Sequence, residues 1–229
     1  MKRTVFYIIA ALMLFTGCNQ AKEVQYNVNP DSVFGKHYTA KDFGIWHLLD
    51  FGDSKYQDPV GEAWMSLPEE KRSAWDNQNG LLLPASDTAA FMRAMRELTL
   101  PRSPEGSKLI PCWILKTDSL GDRYQFNFLY GNKSGKPIID GTHVKKCFVE
   151  KSDFNEGYEV RFRFDMKTAD FWQKFTAEHV GERIAMMLGK DLLLSDPQIM
   201  CEIAGGACSV FGPTEEECYA LATILQSAK

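Results

Sequence analysis

The segment that most constrains this fold is Tyr158–Phe164, where apolar and charged side chains alternate without a break. Four aromatic or aliphatic residues alternate with Glu159, Arg161 and Arg163. Because successive side chains of a β-strand point to opposite faces, the pattern predicts a strand with one buried face and one wet face. A sheet of such strands needs another layer over its apolar face, so helices must accompany it.

The segments after this strand predict how that layer is built. In chain order they are a helix capped by Thr168 over roughly 169–188, a strand beginning at 192–194, strands at 200–203 and 208–211 joined by a hairpin, and a last helix after the capping box Thr214–Glu217. This order of a strand, a helix, further strands and a closing helix predicts an α+β sandwich. Its helices would cover one face of a mainly antiparallel, ferredoxin-like sheet.

The upstream part of the chain carries shorter patterns. Apolar periodicity predicts a helix over 88–98 and strands over 109–116 and 124–130. A further helix is expected over 141–149. Residues 52–62 contain glycine and proline and are expected to form a loop. Taken together, residues 37–229 are predicted to form one domain.

The N-terminus has the pattern of an export signal. Lys2 and Arg3 precede an apolar run over 5–15. As a helix this run would be about 16 Å long, roughly half of the bilayer core, which predicts a cleaved signal peptide over 1–17 and not a membrane-spanning helix. The small residue before Cys18 resembles the lipobox of bacterial lipoproteins, a family in which this cysteine receives the lipid and becomes the mature N-terminus. The alternative is an ordinary signal peptide with a cysteine nearby by chance.

The composition limits the classes of function. Residues 18–36 are polar and unpatterned, and they are predicted to be a tether between the lipid and the folded body. The chain is 45% hydrophobic and 24% charged, with a net charge of −4, as is typical of a folded soluble protein. A nucleic-acid partner is excluded, since such proteins are normally basic with clustered Lys and Arg.

Five cysteines remain after the lipobox: Cys112, Cys147, Cys201, Cys208 and Cys218. An odd number cannot pair fully within one chain, and the spacings match no zinc pattern. Apolar neighbours predict small buried side chains, although an exported location still permits one disulfide. In the predicted hairpin Cys201 and Cys208 are diagonal neighbours, so we expect no bond between them.

Residues 175–185 (FTAEHVGERIA) resemble a signature of SecD, a subunit of the bacterial preprotein translocase. Further landmarks and the closing helix follow in the order of that family. The matching positions are Thr176, Gly181, Ser195, Pro197, Gly205, Gly206 and Gly212. Residues 87–89, 100–102 and 141–144 resemble the fused SecD/SecF proteins of Bacteroidetes-like bacteria, so the resemblance is strongest over 87–229.

Several positions depart from the family. His179 stands where the family has Asn, and Asp196 stands where it has a small residue. The sequence ends at Lys229, where a SecD chain continues toward its membrane helices. The resemblance therefore implies a standalone periplasmic head domain, anchored to the cell envelope by the lipid on Cys18 and placed in the periplasm or at the surface.

The resemblance also implies a non-enzymatic module that holds unfolded exported polypeptide, assists protein export and works with components of the Sec translocase. Such a module needs an apolar groove or an open sheet edge. The alternatives are an envelope lipoprotein that docks onto a folded protein partner, and an uncharacterised hydrolase. The chain contains no nucleophile elbow, phosphate loop or HExxH pattern, and its four histidines are scattered. We therefore predict no cofactor, no metal and no catalytic residue.

Overall fold

The computed structural model describes residues 26, 28–49, 54–72, 81–118, 121–152, 157–211 and 214–227. The helices are α1 (Pro30–Phe34), α2 (Ser54–Met65), α3 (Ala85–Arg96), α4 (Met166–Glu178) and α5 (Glu215–Gln226). The strands are β1 (Phe43–Leu48), β2 (Leu82–Pro84), β3 (Ile110–Asp118), β4 (Gly121–Tyr130), β5 (Ile139–Asp140), β6 (Val144–Lys151), β7 (Tyr158–Phe164), β8 (Ile184–Leu188), β9 (Leu192–Ser195) and β10 (Ala207–Phe211). Helices combined with antiparallel strands confirm the predicted α+β class.

Two of the predicted features, the lipobox cysteine Cys18 and the landmark Gly212, lie outside the described residues. In the ranges that the structure describes, no helix combines the length and the apolar character needed to cross a bilayer.

The described residues divide into two compact units, one within 1–46 and 137–229 and the other within 47–136. Residues 37–229, for which the sequence predicts one domain, are divided between the two units. The sequence also predicts a tether over 18–36, but residues 30–34 of that range form α1, which packs against α5. Asn29 caps this short helix, and Gly35 ends it in the left-handed conformation.

The first unit is built around β7. This strand is the centre of a three-stranded antiparallel sheet in the order β10-β7-β6. Val160 lies between Val149 and Val210, and all three side chains are on the face that packs against the core. α5 supplies the opposite layer of that core, including the fully buried Leu221. The alternation in β7 therefore predicts its buried face correctly.

Two helix predictions for this unit need correction. The helix predicted over 169–188 ends at Glu178, and its second half is the strand β8. Gly181 adopts a φ of +91°, which a continuing helix does not permit and which makes the turn between the two elements. The predicted helix over 141–149 is a short 3-10 turn followed by β6.

The ends of α4 and α5 test the predicted caps. The N-cap of α4 is Asp165, whose side chain accepts a hydrogen bond from the backbone N–H of Thr168, so the cap lies three residues before the predicted one. The capping box of α5 is confirmed, because Thr214 and Glu217 each bond the backbone N–H of the other.

The second unit contains an antiparallel sheet in the order β2-β4-β3, with α2 and α3 packed against its core. Phe91 of α3 contacts Phe126 of β4 with ring centroids 4.9 Å apart. The predicted helix over 88–98 and the predicted strands over 109–116 and 124–130 are confirmed within a few residues. The predicted loop over 52–62 is wrong, because α2 includes most of it and contains Pro59.

Candidate functional site

The outer edge of β6 is closed by side chains of its own unit. The Gln226 side-chain amide donates to the backbone oxygen of Cys147 at 3.1 Å, and the backbone N–H of Val149 donates to the Tyr26 hydroxyl at 2.9 Å. Because alternate residues of an antiparallel strand turn both backbone groups to the same side, Cys147 and Val149 face away from β7. Two polar side chains therefore occupy the places where another strand would pair.

The outer edge of β10 is different. The same alternation, carried across β7, turns the backbone groups of Cys208 and Val210 toward β7. The backbone groups of Ala207, Ser209 and Phe211 then point away from the sheet. Strand β9 lies close to β10, but no ladder joins the two strands within the described ranges. Within those ranges the outward backbone groups of β10 therefore have no strand partner, and β9 is the neighbouring element.

The composition of β10 provides no charge or proline to protect this edge. Natural edge strands are usually guarded by charged residues, proline or a covering element. β10 has the sequence ACSVF, with no charge and no proline, and four of its five residues are half-buried. By contrast, β6 has three lysines and the guard provided by Tyr26 and Gln226. β3 of the second unit, which pairs with β4, carries Pro111 and Lys116.

The second face of β7, predicted to be wet, holds a buried ion cluster. Arg163 is exposed as predicted, but Glu159 has no solvent-exposed surface. The Arg161 guanidinium lies 2.6 Å from Glu159 and 2.5 Å from Glu150, so it bridges two carboxylates. The prediction was wrong at Glu159, because alternation alone does not reveal that the arginine two positions along the same strand accompanies its carboxylate into the interior.

The family landmarks converge near the end of α4. Thr176 is fully buried, and its hydroxyl accepts a hydrogen bond from the backbone N–H of Ile203 at 2.8 Å. The backbone N–H of Gly181 donates to the oxygen of Ile199 at 2.8 Å, and the oxygen of Pro197 accepts from β8 at 2.9 Å. These bonds tie the segment after β9 to α4 and to the turn that follows it.

The glycine pair Gly205-Gly206 forms a tight turn that packs closely against α4. Gly205 and Gly206 both have positive φ angles in a 3-10 turn, so the predicted hairpin between strands at 200–203 and 208–211 is wrong. Gly206 lies so close to Ala169 of α4 that an added Cβ would sit 2.5 Å from the Ala169 Cβ. Ser195 lies at the end of β9, where it pairs with Met186. These described landmarks hold elements together, and they form no cluster of reactive groups.

None of the five cysteines outside the lipobox forms a disulfide bond. Cys112 and Cys218 are buried as predicted, whereas Cys201 is exposed. The absence of a Cys201–Cys208 bond agrees with the prediction, although the hairpin behind it does not exist. Burial raises the pKa of the Cys147 and Cys208 thiols to about 12 and that of Cys218 to about 11. These three thiols remain protonated near neutral pH and are poor nucleophiles.

An open cleft of about 540 Å³ lies along α4, and it is lined by Asp170, Gln173, Lys174, Ala177 and Glu202. Four of the five lining residues are polar or charged, whereas a groove lined by apolar side chains would be needed to hold a hydrophobic segment. The open edge of β10 is therefore the stronger candidate for a binding site.

Comparison with known families matches residues 121–229 to the P1 head subdomain of SecDF. The protein translocase subunit SecD of Magnetococcus marinus is 33% identical over 106 residues, which is 42% of this chain and 20% of that protein. SecD of Calditerrivibrio nitroreducens is 35% identical over 92 residues, which is 39% of this chain and 17% of that protein. The match thus spans about a fifth of the length of these curated relatives.

A solved structure described as a membrane component SecDF that enhances protein export is 15% identical, with a TM-score of 0.38, and covers 81% of this chain and 93% of that chain. The sequence matches confirm the resemblance to SecD, and residues 121–229 are similar to the P1 head subdomain of SecDF. The upstream landmarks at 87–89 and 100–102 precede the segment that the family model covers.

Proposed function

We propose that this protein is an envelope-anchored SecD-like head that binds extended segments of exported polypeptides at the β10 edge and thereby assists protein export. The observation that carries the proposal is the unpaired and uncharged outer side of β10, in a sheet whose other edge is closed. The similarity of residues 121–229 to the P1 head subdomain of SecDF supports the link to export. The relatives are named translocase subunits, which favours components of the Sec translocase as partners.

Binding at this edge would be strand addition. The outward backbone groups of Ala207, Ser209 and Phe211 would form a short antiparallel or parallel ladder with the client chain. Because backbone hydrogen bonds depend little on the side chains of the client, one edge can bind exported chains of many different sequences. Ordering a flexible chain opposes binding, so the expected dissociation constant is about micromolar.

The proposal assigns binding and no chemical step to this protein. The three thiols that burial keeps protonated support this assignment. We assign supporting roles to the described landmarks Thr176, Gly181, Ser195 and Pro197, together with the glycine pair. They hold α4, β8 and the start of β10 in place, so the shape of the β10 edge depends on them.

The β10 edge is tested by Ser209→Pro. Proline removes an outward N–H, and no bond to β7 is lost, because the Ser209 backbone groups face away from that strand. We expect an unfolded client protein to bind at least tenfold more weakly in a fluorescence titration. The same client in its folded form should bind the unchanged protein weakly, since it offers no free strand.

The matched control is Lys151→Pro, which places proline at an outward position of the guarded β6 strand. Client affinity should be unchanged in this variant, and circular dichroism should report the same fold for all three proteins. Equal affinity in the Ser209→Pro variant and the unchanged protein would contradict the proposed edge. Equal binding of folded and unfolded clients would favour the docking lipoprotein instead.

The anchor is a separate proposal. Cleavage after Gly17 and acylation of Cys18 would place the protein on a membrane of the cell envelope. We expect Cys18→Ser to move the protein from the membrane fraction to the soluble fraction of the producing cell, and the mass of the unchanged protein to include the lipid. Unchanged membrane retention of the variant would contradict lipid attachment at this residue.

A further inference from the structure

Tyr26 joins the predicted tether to the folded body by two independent contacts. Its hydroxyl accepts the hydrogen bond from the Val149 N–H, and its ring stacks on Tyr219 of α5 with centroids 5.0 Å apart and an interplanar angle of 28°. Burial raises the pKa of Tyr26 above its usual value. The contact with Val149 joins residues 123 positions apart in the chain. Tyr26 is therefore part of the structure of the first unit.

The groups that close the β6 edge imitate a partner strand. A pairing strand would offer a carbonyl oxygen to the Val149 N–H and an N–H to the Cys147 oxygen. The Tyr26 hydroxyl supplies the first acceptor and the Gln226 amide supplies the second donor. The edge thus has the geometry for strand pairing, and side chains from the same unit satisfy it.

The two side chains that close the β6 edge, Tyr26 and Gln226, differ in how firmly the rest of the unit holds them. Gln226 is the last residue of α5, which is tied to the core by several buried side chains. Tyr26 precedes the five-residue helix α1, which contains no buried residue. Tyr26 and α1 pack against the core only partly buried, so a local opening here costs less than an opening of α5.

We propose that β6 is a second edge that binds extended polypeptide, and that the Tyr26 side chain closes this edge. We call the contact of Tyr26 with Val149 the clasp. With Tyr26 seated, the N–H of Val149 is occupied and a client strand cannot pair there. When Tyr26 leaves, the outward N–H of Val149 becomes available, and the client then displaces Gln226 from the backbone oxygen of Cys147. The ligand class is taken from the proposed function, but the clasp itself rests on the Tyr26 contacts alone.

The clasp is tested first without a client, by amide hydrogen exchange of the full-length protein. Tyr26→Phe keeps the ring stacked on Tyr219 and removes the hydroxyl, so the fold is preserved. We expect the Val149 amide to exchange at least tenfold faster in Tyr26→Phe and faster still in Tyr26→Ala. The amide of Val160, which faces β10, is the internal control and should not change. Unchanged exchange at Val149 would overturn the clasp.

The second edge is tested in the Ser209→Pro background, in which the β10 edge is blocked. Adding Tyr26→Ala should restore client binding at least tenfold, and adding Tyr26→Phe should restore part of it. Faster exchange at Val149 without any restored binding would overturn β6 as a binding edge. If Ser209→Pro alone has no effect on the unchanged protein, the β10 proposal fails, and a gain of binding in Tyr26→Ala would still support the β6 edge.

Discussion

Replacing Arg161 by leucine should lower the free energy of unfolding by about 3–5 kcal/mol, because it leaves a buried carboxylate without its cation. Glu159 is fully buried, and the Arg161 guanidinium bonds the same carboxylate oxygen through two nitrogens, at 2.6 and 2.7 Å. The third nitrogen reaches Glu150, so the arginine also joins β6 to β7. Urea unfolding followed by circular dichroism measures the loss.

The matched control is Arg163→Leu, two residues along the same strand. Arg163 is exposed, so this change should alter stability by no more than about 0.5 kcal/mol. The double variant Glu159→Leu, Arg161→Leu removes the whole pair and should recover much of the loss, because an apolar pair carries no uncompensated charge. Equal destabilisation by Arg161→Leu and Arg163→Leu would contradict the role assigned to the buried cluster.

Elements with a strong local pattern were predictable from the sequence. In β7 the alternation has a period of two, and the four apolar residues lie on the core side. The helix α5 has both a capping box and an apolar stripe, and it begins where the sequence predicts. In each case residues a few positions apart carry all the information, so distant contacts did not alter the outcome.

Elements buried on more than one side were not predictable in this way. All five residues of β8 are buried, so the segment IAMML has no alternation and continues the apolar pattern of α4. A buried strand and a buried helix give the same short apolar run. The signal for the boundary was Gly181, whose positive φ ends the helix, but a glycine alone does not reveal its conformation.

The candidate site depends on contacts that the sequence order hides. Recognition of the family landmarks predicted a SecD-like head, yet those landmarks lie at packing contacts and not at the β10 edge. Which edge is open depends on Tyr26 reaching Val149 and on Gln226 reaching Cys147. Both contacts join segments far apart in the chain, so the periodicity of the local sequence does not predict them.

Substitutions of Gly205 and Gly206 measure how much the close packing of this turn against α4 contributes to stability. Gly206→Ala should lower the free energy of unfolding by about 3 kcal/mol, because alanine would be both strained and too large. The φ of Gly206 is +66°, and the added Cβ would lie 2.5 Å from the Cβ and 3.0 Å from the Cα of Ala169. Since α4 holds Ala169 in place, the turn before β10 would have to move.

Gly205→Ala separates the two causes. Gly205 has nearly the same φ, +72°, but nothing lies within 4 Å of an added Cβ. The free energy of unfolding of Gly205→Ala should therefore fall only by the cost of the backbone strain, about 1 kcal/mol. Because the turn leads directly into β10, Gly206→Ala should also weaken client binding, whereas Gly205→Ala should not. Equal losses of stability in the two variants would show that the approach of Gly206 to Ala169 does not position this edge.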